Sequence, residues 1–136
     1  APEIVRVAQA VAAAGADGLT AVNTLGPGMI IDVRARRPIL ANRVGGISGA
    51  ALRPIAVRCV YEIARAVKLP IIGTGGVESG EDAMQMLMAG ATAVGIGSAL
   101  YRHGAAAFRR ILAELEDLMR QEGYTRIQEF RGCALS

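Results

Sequence analysis

The sequence predicts an α/β fold of parallel strands, corresponding to the C-terminal half of a (β/α)8 barrel. Two short apolar runs, at residues 69–72 and 91–94, each end at a cluster of glycines and precede a helical pattern. Twice in the chain a helix leads into an Ala-Gly-Ala turn and a buried strand, as repeated αβ units predict. The turn and strand lie at residues 14–22 and again at residues 89–96. Apolar residues make up 52% of the chain and aromatic residues 4%, which is typical of strands buried on both faces. We expect about three parallel strands with covering helices and an inserted β-hairpin.

The two glycine clusters read GTGGV at residues 73–77 and GIGS at residues 95–98. Glycine lets backbone N–H groups approach an anion, and the dipole of a following helix favours negative charge. Two such loops after successive strands form the phosphate site of the last two units of a (β/α)8 barrel. One cluster alone would be weak evidence, because glycine also serves ordinary tight turns. A Gly75→Asp substitution is expected to place a carboxylate in this anion site.

Length and charge set limits on the function. We treat residues 1–136 as a single segment, long enough for one domain with a core. The net charge is +3 and the arginines are scattered, which favours a solvated surface over nucleic-acid binding. Two distant cysteines and the absence of a run of about 18 apolar residues favour a cytoplasmic protein outside the membrane. The chain begins without Met inside a helical pattern, which suggests a piece of a longer protein.

The first predicted elements are a helix from Pro2 to about Ala14 and a buried strand at residues 19–22. The strand stops at two polar residues, Asn23 and Thr24. Polar side chains at the C-terminal end of a barrel strand point toward a bound ligand. Alternatively, these two residues only begin a turn, because Gly-Pro-Gly follows shortly after them.

An inserted hairpin is predicted next. Two extended runs, residues 29–33 and 38–41, flank the sequence Arg-Ala-Arg-Arg and predict a hairpin with a charged tip. The insertion lies between a strand and its helix, on the C-terminal rim of the predicted barrel. Insertions at this rim often shape a pocket.

The middle of the chain carries two amphipathic helices. A helix of about 18 residues follows the glycine-rich segment 45–49, and its apolar positions fall at helical spacing. Those positions are Leu52, Ile55, Ala56, Cys59, Val60, Ile63, Ala64 and Val67. The cysteine on this stripe is therefore interpreted as a core residue. After a strand at residues 71–72, Ser79 is an N-cap with an acidic residue at N3. The methionines of this second helix are interpreted as core residues, and Gly90 ends it.

The last part of the chain is a strand at residues 93–97 and a helix at residues 105–121. The face of this helix that we expect to be buried contains Phe108, Ile111, Leu112, Leu115, Leu118 and Met119. A tail from residue 124 offers Ile127, Phe130 and Leu135 for packing. The only histidine, His103, is interpreted as a surface or capping residue because no acidic partner is near it in sequence.

Reactive groups are scarce in this sequence. One histidine and two separated cysteines give no metal-ligand spacing, and no arrangement of nucleophile and base is visible. The acidic residues fall on helix exteriors or at a cap, so a catalytic carboxylate pair is unsupported. If the chain belongs to an enzyme, its reactive groups come from a cofactor or from residues outside this sequence.

Several motifs together resemble the C-terminal half of dihydroorotate dehydrogenase, and the class 1B form in particular. They occur in the order and spacing of that family and cover nearly the whole chain. The motifs are VNT at 22–24, ANRVGGISG at 41–49, RPIAVR at 53–58, VYE at 60–62, PIIGTGGV at 70–77, AGA at 89–91 and GS at 97–98.

The resemblance implies a (β/α)8 barrel that holds FMN at the C-terminal rim of its strands and oxidises dihydroorotate to orotate. It implies that Asn23 and Thr24 bind the pyrimidine substrate. The residues it implies for the flavin and its phosphate are Val22, Gly49, Gly75, Gly76, Gly97 and Ser98. It also implies a partner subunit with FAD and a 2Fe–2S cluster, and NAD as the final acceptor.

The family's catalytic base, a cysteine in class 1B, belongs to the first half of the barrel and has no counterpart here. Cys59 and Cys133 do not lie in its sequence context, so this chain alone is expected to be inactive. Three strands with two open edges need cover from further residues or another chain, and a homo-oligomer is expected. Two alternatives stay open: another FMN barrel of the dihydropyrimidine dehydrogenase or dihydrouridine-reducing type, or a half-barrel that binds phosphate ligands without catalysis.

Overall fold

The computed structural model describes residues 3–136, and the predicted helix start at Pro2 lies outside them. Short 3₁₀ turns occur at Ala50–Leu52, Ile127–Glu129 and Cys133–Leu135. In chain order the helices and strands are α1 (Glu3–Ala13), β1 (Leu19–Ala21), β2 (Leu25–Gly28), β3 (Ile31–Asp32), β4 (Arg37–Pro38), β5 (Gly45–Ile47), α2 (Arg53–Ala66), β6 (Ile71–Thr74), α3 (Gly80–Met88), β7 (Ala93–Gly95), α4 (Ser98–His103) and α5 (Ala106–Gln121).

The centre of the fold is a parallel three-stranded sheet with the order β1-β6-β7. Leu19 lies opposite Ile71, and Gly73 lies opposite Val94. The α/β prediction with parallel strands and covering helices is therefore confirmed. Because parallel strands end at the same edge of a sheet, the loops after β1, β6 and β7 lie side by side, and the candidate site lies there.

The core lies between one face of this sheet and helices α2, α3 and α5. The apolar stripe predicted for α2 is buried at Ala56, Cys59, Val60 and Ile63, so Cys59 is a core residue as predicted. Met84 and Met86 of α3 are buried as well. Phe130 of the C-terminal tail is buried. Its ring centroid lies 4.9 Å from that of Tyr124.

The prediction for the last helix is wrong at two positions. Phe108 and Leu112 are 50% and 56% exposed, whereas Ile111 and Leu115 are buried. The buried side of α5 packs against α3. Phe108 and Leu112 instead border an apolar groove next to the β7 edge, together with Val94 and Ile96. Within residues 3–136 no element covers that groove.

The inserted hairpin is present, but its strands differ from the prediction. The predicted runs at 29–33 and 38–41 shorten to β3 and β4, with Asp32 opposite Arg37. A second antiparallel pair, β2 with β5, lies at the base of the hairpin and was not predicted. The glycine-rich sequences of β2 and β5 suggest turns. In the structure they form an antiparallel ladder, because the two segments pair although they are distant in sequence. The result is a two-part β-ribbon above the carboxyl ends of β1 and β6.

The three parallel strands end at other residues than predicted, and β6, predicted at residues 71–72, extends to Thr74. The predicted strands 19–22 and 93–97 stop at Ala21 and Gly95. A short helix, α4, separate from the helix predicted at residues 105–121, follows the second cluster and ends at Gly104, whose φ is +64°. His103 is the exposed last residue of α4.

Across residues 3–136, none of the helices has the length and hydropathy that spanning a membrane requires.

Candidate functional site

One cleft of about 180 Å³ lies at the carboxyl ends of the three parallel strands. All eight residues that the sequence analysis assigned to a ligand site line it. Three further residues line it that were not assigned to a ligand site from the sequence: Ser48, Leu52 and Thr74. The predicted eight are Val22, Asn23, Thr24, Gly49, Gly75, Gly76, Gly97 and Ser98.

Gly75 and Gly76 allow the loop after β6 to pack against the start of α2. Their φ angles are +135° and +71°, which L-residues with side chains rarely adopt. A Cβ at residue 75 would lie 2.6 Å from the Cβ of Ala56. A Cβ at residue 76 would lie 2.5 Å from the carbonyl oxygen of Gly49 and 3.0 Å from the amide nitrogen of Arg53. Side chains at both positions would therefore meet the α2 region, which corrects the expectation that Asp at residue 75 enters the anion site.

Gly97 and Gly49 leave open space in the cleft. Gly97 has a negative φ of −120°, and a Cβ built there has no neighbour within 4 Å. A Cβ at Gly49 would lie 3.7 Å from Nη2 of Arg102 and 3.9 Å from Oγ of Ser98. At these two positions the cleft is therefore lined by backbone, with the Ser98 hydroxyl beside Gly49.

The cleft offers backbone N–H groups without protein acceptors. Within residues 3–136 the amides of Gly75, Gly76 and Gly97 donate no hydrogen bond to the protein. The first amides of α4, at Ser98 and Ala99, also lack an acceptor within their own helix. Free amides and a small hydroxyl together suit an anion such as a phosphate group.

The polar pair after β1 lies on the opposite side of this cleft. The amide of Thr24 donates to Oδ1 of Asn23 at 2.7 Å, and the Thr24 hydroxyl lies 3.3 Å from the same oxygen. The amide of Val22 donates to the carbonyl oxygen of Thr74 at 2.8 Å, which ties the loop to β6. A methyl group at Gly46 would overlap Oγ1 of Thr24. Gly46 therefore keeps the β-ribbon close behind Thr24.

An ion pair and a cap fix the loop that carries Gly75 and Gly76. Ser79 caps α3 as predicted, since its Oγ accepts from the amide of Asp82 at 3.2 Å. The Asp82 carboxylate does not return to Ser79, as a capping box requires. Its Oδ2 accepts from the amide of Glu78 at 2.9 Å, and its Oδ1 lies 2.8 Å from Nη1 of Arg53. The side chain of Asp82, the acidic residue predicted at N3 of this helix, is only 8% exposed.

Two arginines and a glutamate on later helices contact the same loop. Arg110 of α5 donates to the carbonyl oxygen of Glu78 at 2.9 Å. Glu114 accepts from the amide of Gly80 at 2.7 Å, and this hydrogen bond, with a smaller effect of Arg110, lowers the pKa of Glu114. Arg102 of α4 lies 3.3 Å from Oε1 of Glu78. The loop is therefore held by α2, α4 and α5 at once.

Comparison with known proteins identifies the family. The sequence model of the family "Dihydroorotate dehydrogenase" matches residues 1–119 of this chain. This chain belongs to the dihydroorotate dehydrogenase family. The resemblance inferred from the motifs is thereby confirmed.

Relatives in this family match almost all of the chain. The dihydroorotate dehydrogenase B (NAD(+)) catalytic subunit of Methanothermobacter thermautotrophicus is 47% identical over 132 residues, covering 97% of this chain and 44% of that protein. The protein of the same name from Geobacter metallireducens is 49% identical over 131 residues, covering 96% and 42%. The chain thus spans less than half of the length of these relatives.

A solved structure shows the same fold. The crystal structure of a dihydroorotate dehydrogenase from Eimeria tenella in complex with ferulenol superposes with a TM-score of 0.77 at 30% sequence identity. The match covers 97% of this chain and 35% of that chain. The α/β arrangement described here is therefore one portion of the larger dihydroorotate dehydrogenase fold.

Among residues 3–136 no three His, Cys, Asp or Glu side chains gather as metal ligands do. Neither cysteine lines the cleft, since Cys59 is buried in α2 and Cys133 lies exposed in the C-terminal tail. The cleft therefore offers binding groups, and none of its lining residues is a general base of the expected type.

Proposed function

We propose that this chain forms part of an FMN-dependent enzyme that oxidises dihydroorotate to orotate in pyrimidine biosynthesis. The observation that carries the proposal is the single cleft that unites the free amides after β6 and β7 with the polar pair after β1. Membership of the dihydroorotate dehydrogenase family supports it. The names of the relatives support NAD as the final electron acceptor.

The glycine loops would hold the phosphate group of FMN. The amides of Gly75, Gly76 and Gly97 and the amide and hydroxyl of Ser98 supply neutral donors at the cleft. Gly49 leaves room for the flavin, and when bound the flavin supplies the group that accepts a hydride from the substrate. The residues present fit this cofactor because free donors, small side chains and open space coincide.

Asn23 and Thr24 would bind the pyrimidine. The carboxamide of Asn23 and the hydroxyl of Thr24 both donate and accept hydrogen bonds, which suits the imide and carboxylate of dihydroorotate. The proton of the substrate would be removed by a cysteine outside this chain, because neither Cys59 nor Cys133 lines the cleft. On its own the chain would therefore bind flavin without turnover.

The names of the relatives support a partner subunit, because both relatives are called catalytic subunits. A catalytic subunit implies a second subunit, and we propose one that carries FAD and a 2Fe–2S cluster. We also propose a homo-oligomeric core and a cytoplasmic location.

The direct test uses the full-length gene product that contains this chain. We expect it to purify with bound FMN and to oxidise dihydroorotate in the presence of its electron-transfer partner and NAD⁺. Oxidation or reduction of dihydrouracil instead would favour the dihydropyrimidine type of barrel. A purified protein without flavin or dihydroorotate oxidation would contradict the proposal and favour a phosphate-binding half-barrel.

Substitution of Thr24 tests the substrate assignment. We expect Thr24→Ala in the full-length protein to raise the KM for dihydroorotate about tenfold, because one hydrogen bond to a charged substrate is lost. Gly46→Ala should raise KM in the same direction, since its methyl group displaces the Thr24 side chain. Thr125→Ala, in the tail outside the cleft, is the control. A wild-type KM for Thr24→Ala would contradict the assignment.

A further inference from the structure

We propose that Arg102 is a cationic ligand of the phosphate group bound in this cleft, and that Glu78 positions it. The proposal deepens the function proposed above and rests on it. The backbone amides of the glycine loops are neutral, whereas a phosphate monoester carries nearly two negative charges at neutral pH. A cation beside the cleft would strengthen phosphate binding beyond what the amides supply.

The guanidinium of Arg102 lies beside Gly49 and Ser98, two residues that line the cleft, although Arg102 itself is not a lining residue. Arg102 follows Ser98 by one turn of α4, so both side chains lie on the same side of that helix. A Cβ built on Gly49 would lie 3.7 Å from Nη2 of Arg102 and 3.9 Å from Oγ of Ser98. The guanidinium and the hydroxyl therefore border the same space, and Gly49 and Ser98 line the cleft itself.

Glu78 holds one side of the guanidinium and leaves the other side free. Nη1 of Arg102 lies 3.3 Å from Oε1 and 3.4 Å from Oε2 of Glu78. Within residues 3–136 Nη2 makes no hydrogen bond. The backbone of Glu78 is fixed, because Arg110 donates to its carbonyl oxygen and its amide donates to Asp82. Nη2 therefore remains available on the side of Gly49, where it lies 3.7 Å from the position that a Cβ would occupy.

The other arginine near the loop is already paired. Arg53 lies at the start of α2, but its Nη1 is 2.8 Å from the nearly buried carboxylate of Asp82. Arg102 is 57% exposed and its pair with Glu78 is longer, so an arriving phosphate can share it. Among the described residues, Arg102 is therefore the more exposed and the more weakly paired of the two arginines beside this loop.

The test compares FMN with riboflavin, which lacks the phosphate group. In the full-length protein, stripped of flavin, we expect Arg102→Ala to weaken FMN binding about tenfold, as loss of a partly screened charge-assisted hydrogen bond predicts. Riboflavin affinity should stay unchanged. Arg102→Lys should retain most of the FMN affinity, and the salt dependence of FMN binding should be shallower in Arg102→Ala than in the wild type. Arg109→Ala, which removes an exposed arginine of α5 outside the cleft, is the matched control.

The outcomes separate this proposal from the proposed function. Unchanged FMN affinity in Arg102→Ala, or an equal loss for FMN and riboflavin, would overturn the role of Arg102 and leave the flavin site standing. A wild-type protein that binds riboflavin as tightly as FMN, or binds neither, would overturn the phosphate site itself.

Discussion

At the residue scale, the glycines of the cleft differ in what surrounds their missing side chains. Gly75 and Gly76 have positive φ angles and contact the α2 region, whereas Gly97 faces open space. Their sequence pattern predicted a common location but could not distinguish these two roles. Which atoms a Cβ would meet depends on how α2 packs on the loop, which is a tertiary property.

Gly97 is therefore the position at which a charge can be introduced beside the bound anion. We expect Gly97→Asp to weaken FMN binding about 100-fold, because two negative charges a few ångströms apart repel each other. Gly97→Asn, which has nearly the same size without the charge, should weaken FMN binding much less. Fluorescence titration of the stripped full-length protein measures both. Equal losses of FMN affinity in the two variants would show that the size of the side chain, and not its charge, weakens binding.

Gly76 tests the packing role. Gly76→Ala combines a positive φ with overlap of the Gly49 carbonyl and Arg53, so we expect a loss of about 2–4 kcal/mol in the free energy of unfolding. Gly15→Ala is the matched control: it also has a positive φ, but its Cβ meets nothing within 4 Å. Urea denaturation compares the two. A smaller loss for Gly76→Ala than for Gly15→Ala would contradict the packing role.

At the element scale, the loop between β6 and α3 connects the sheet to three helices. Ser79 as the cap of α3 was predictable, because the cap lies within four residues of sequence. The burial of Asp82 was not predictable, since its partner Arg53 belongs to another helix. The β2–β5 pair was not predicted either, because no local signal in the sequence identifies two strands that pair across an insertion.

The Arg53–Asp82 pair is expected to stabilise this loop. Asp82→Asn leaves Arg53 without its carboxylate, and because Asp82 is nearly buried we expect a loss of about 1–3 kcal/mol in the free energy of unfolding. Asp117→Asn, which breaks an exposed pair with Arg120, should cost less than about 0.5 kcal/mol. Urea denaturation at neutral pH compares the two. Equal effects would show that the buried pair does not brace the loop.

The lowered pKa of Glu114 predicts that the free energy of unfolding depends on pH. The hydrogen bond from Gly80 lowers the pKa of Glu114 in the folded state. Its contribution is therefore complete above the ordinary glutamate pKa of about 4.3 and is lost as pH falls through the lowered folded value. The side chain is 38% exposed, so screening limits the contribution to less than about 1 kcal/mol. Glu114→Gln should reduce the acid-induced loss of unfolding free energy between pH 5 and pH 3, measured by urea denaturation, and an unchanged pH profile would contradict this role.

At the scale of the whole molecule, helices cover one face of the sheet, while Thr20, Ile72 and Ala93 on the other face are exposed. Phe108 and Leu112 border an uncovered groove beside β7. The sequence predicted these two residues as buried because helical periodicity marks apolar faces without showing what covers them. The chain spans less than half of its relatives, and we expect the remaining strands of a barrel to cover these surfaces.

A double substitution tests whether the groove beside β7 is covered in the full-length protein. It should harm the full-length protein and improve the behaviour of the isolated chain. In the full-length protein, Phe108→Ser with Leu112→Ser should cost at least about 3 kcal/mol of unfolding free energy, because both side chains would be buried. In the isolated 136-residue chain the same pair should reduce self-association in sedimentation experiments. Arg109→Ser on the outer side of α5 controls for helix propensity. Unchanged stability of the full-length protein would show that the groove stays uncovered there.

The central claim is that backbone amides from two neighbouring loops bind one phosphate group. Selective ¹⁵N-glycine labelling of the full-length protein, followed by titration with FMN, observes these amides directly by NMR. We predict the largest shifts at Gly75, Gly76 and Gly97, with Gly15 and Gly123 outside the cleft unchanged. Flavin binding that leaves the amide signals of those three glycines unshifted would contradict the account.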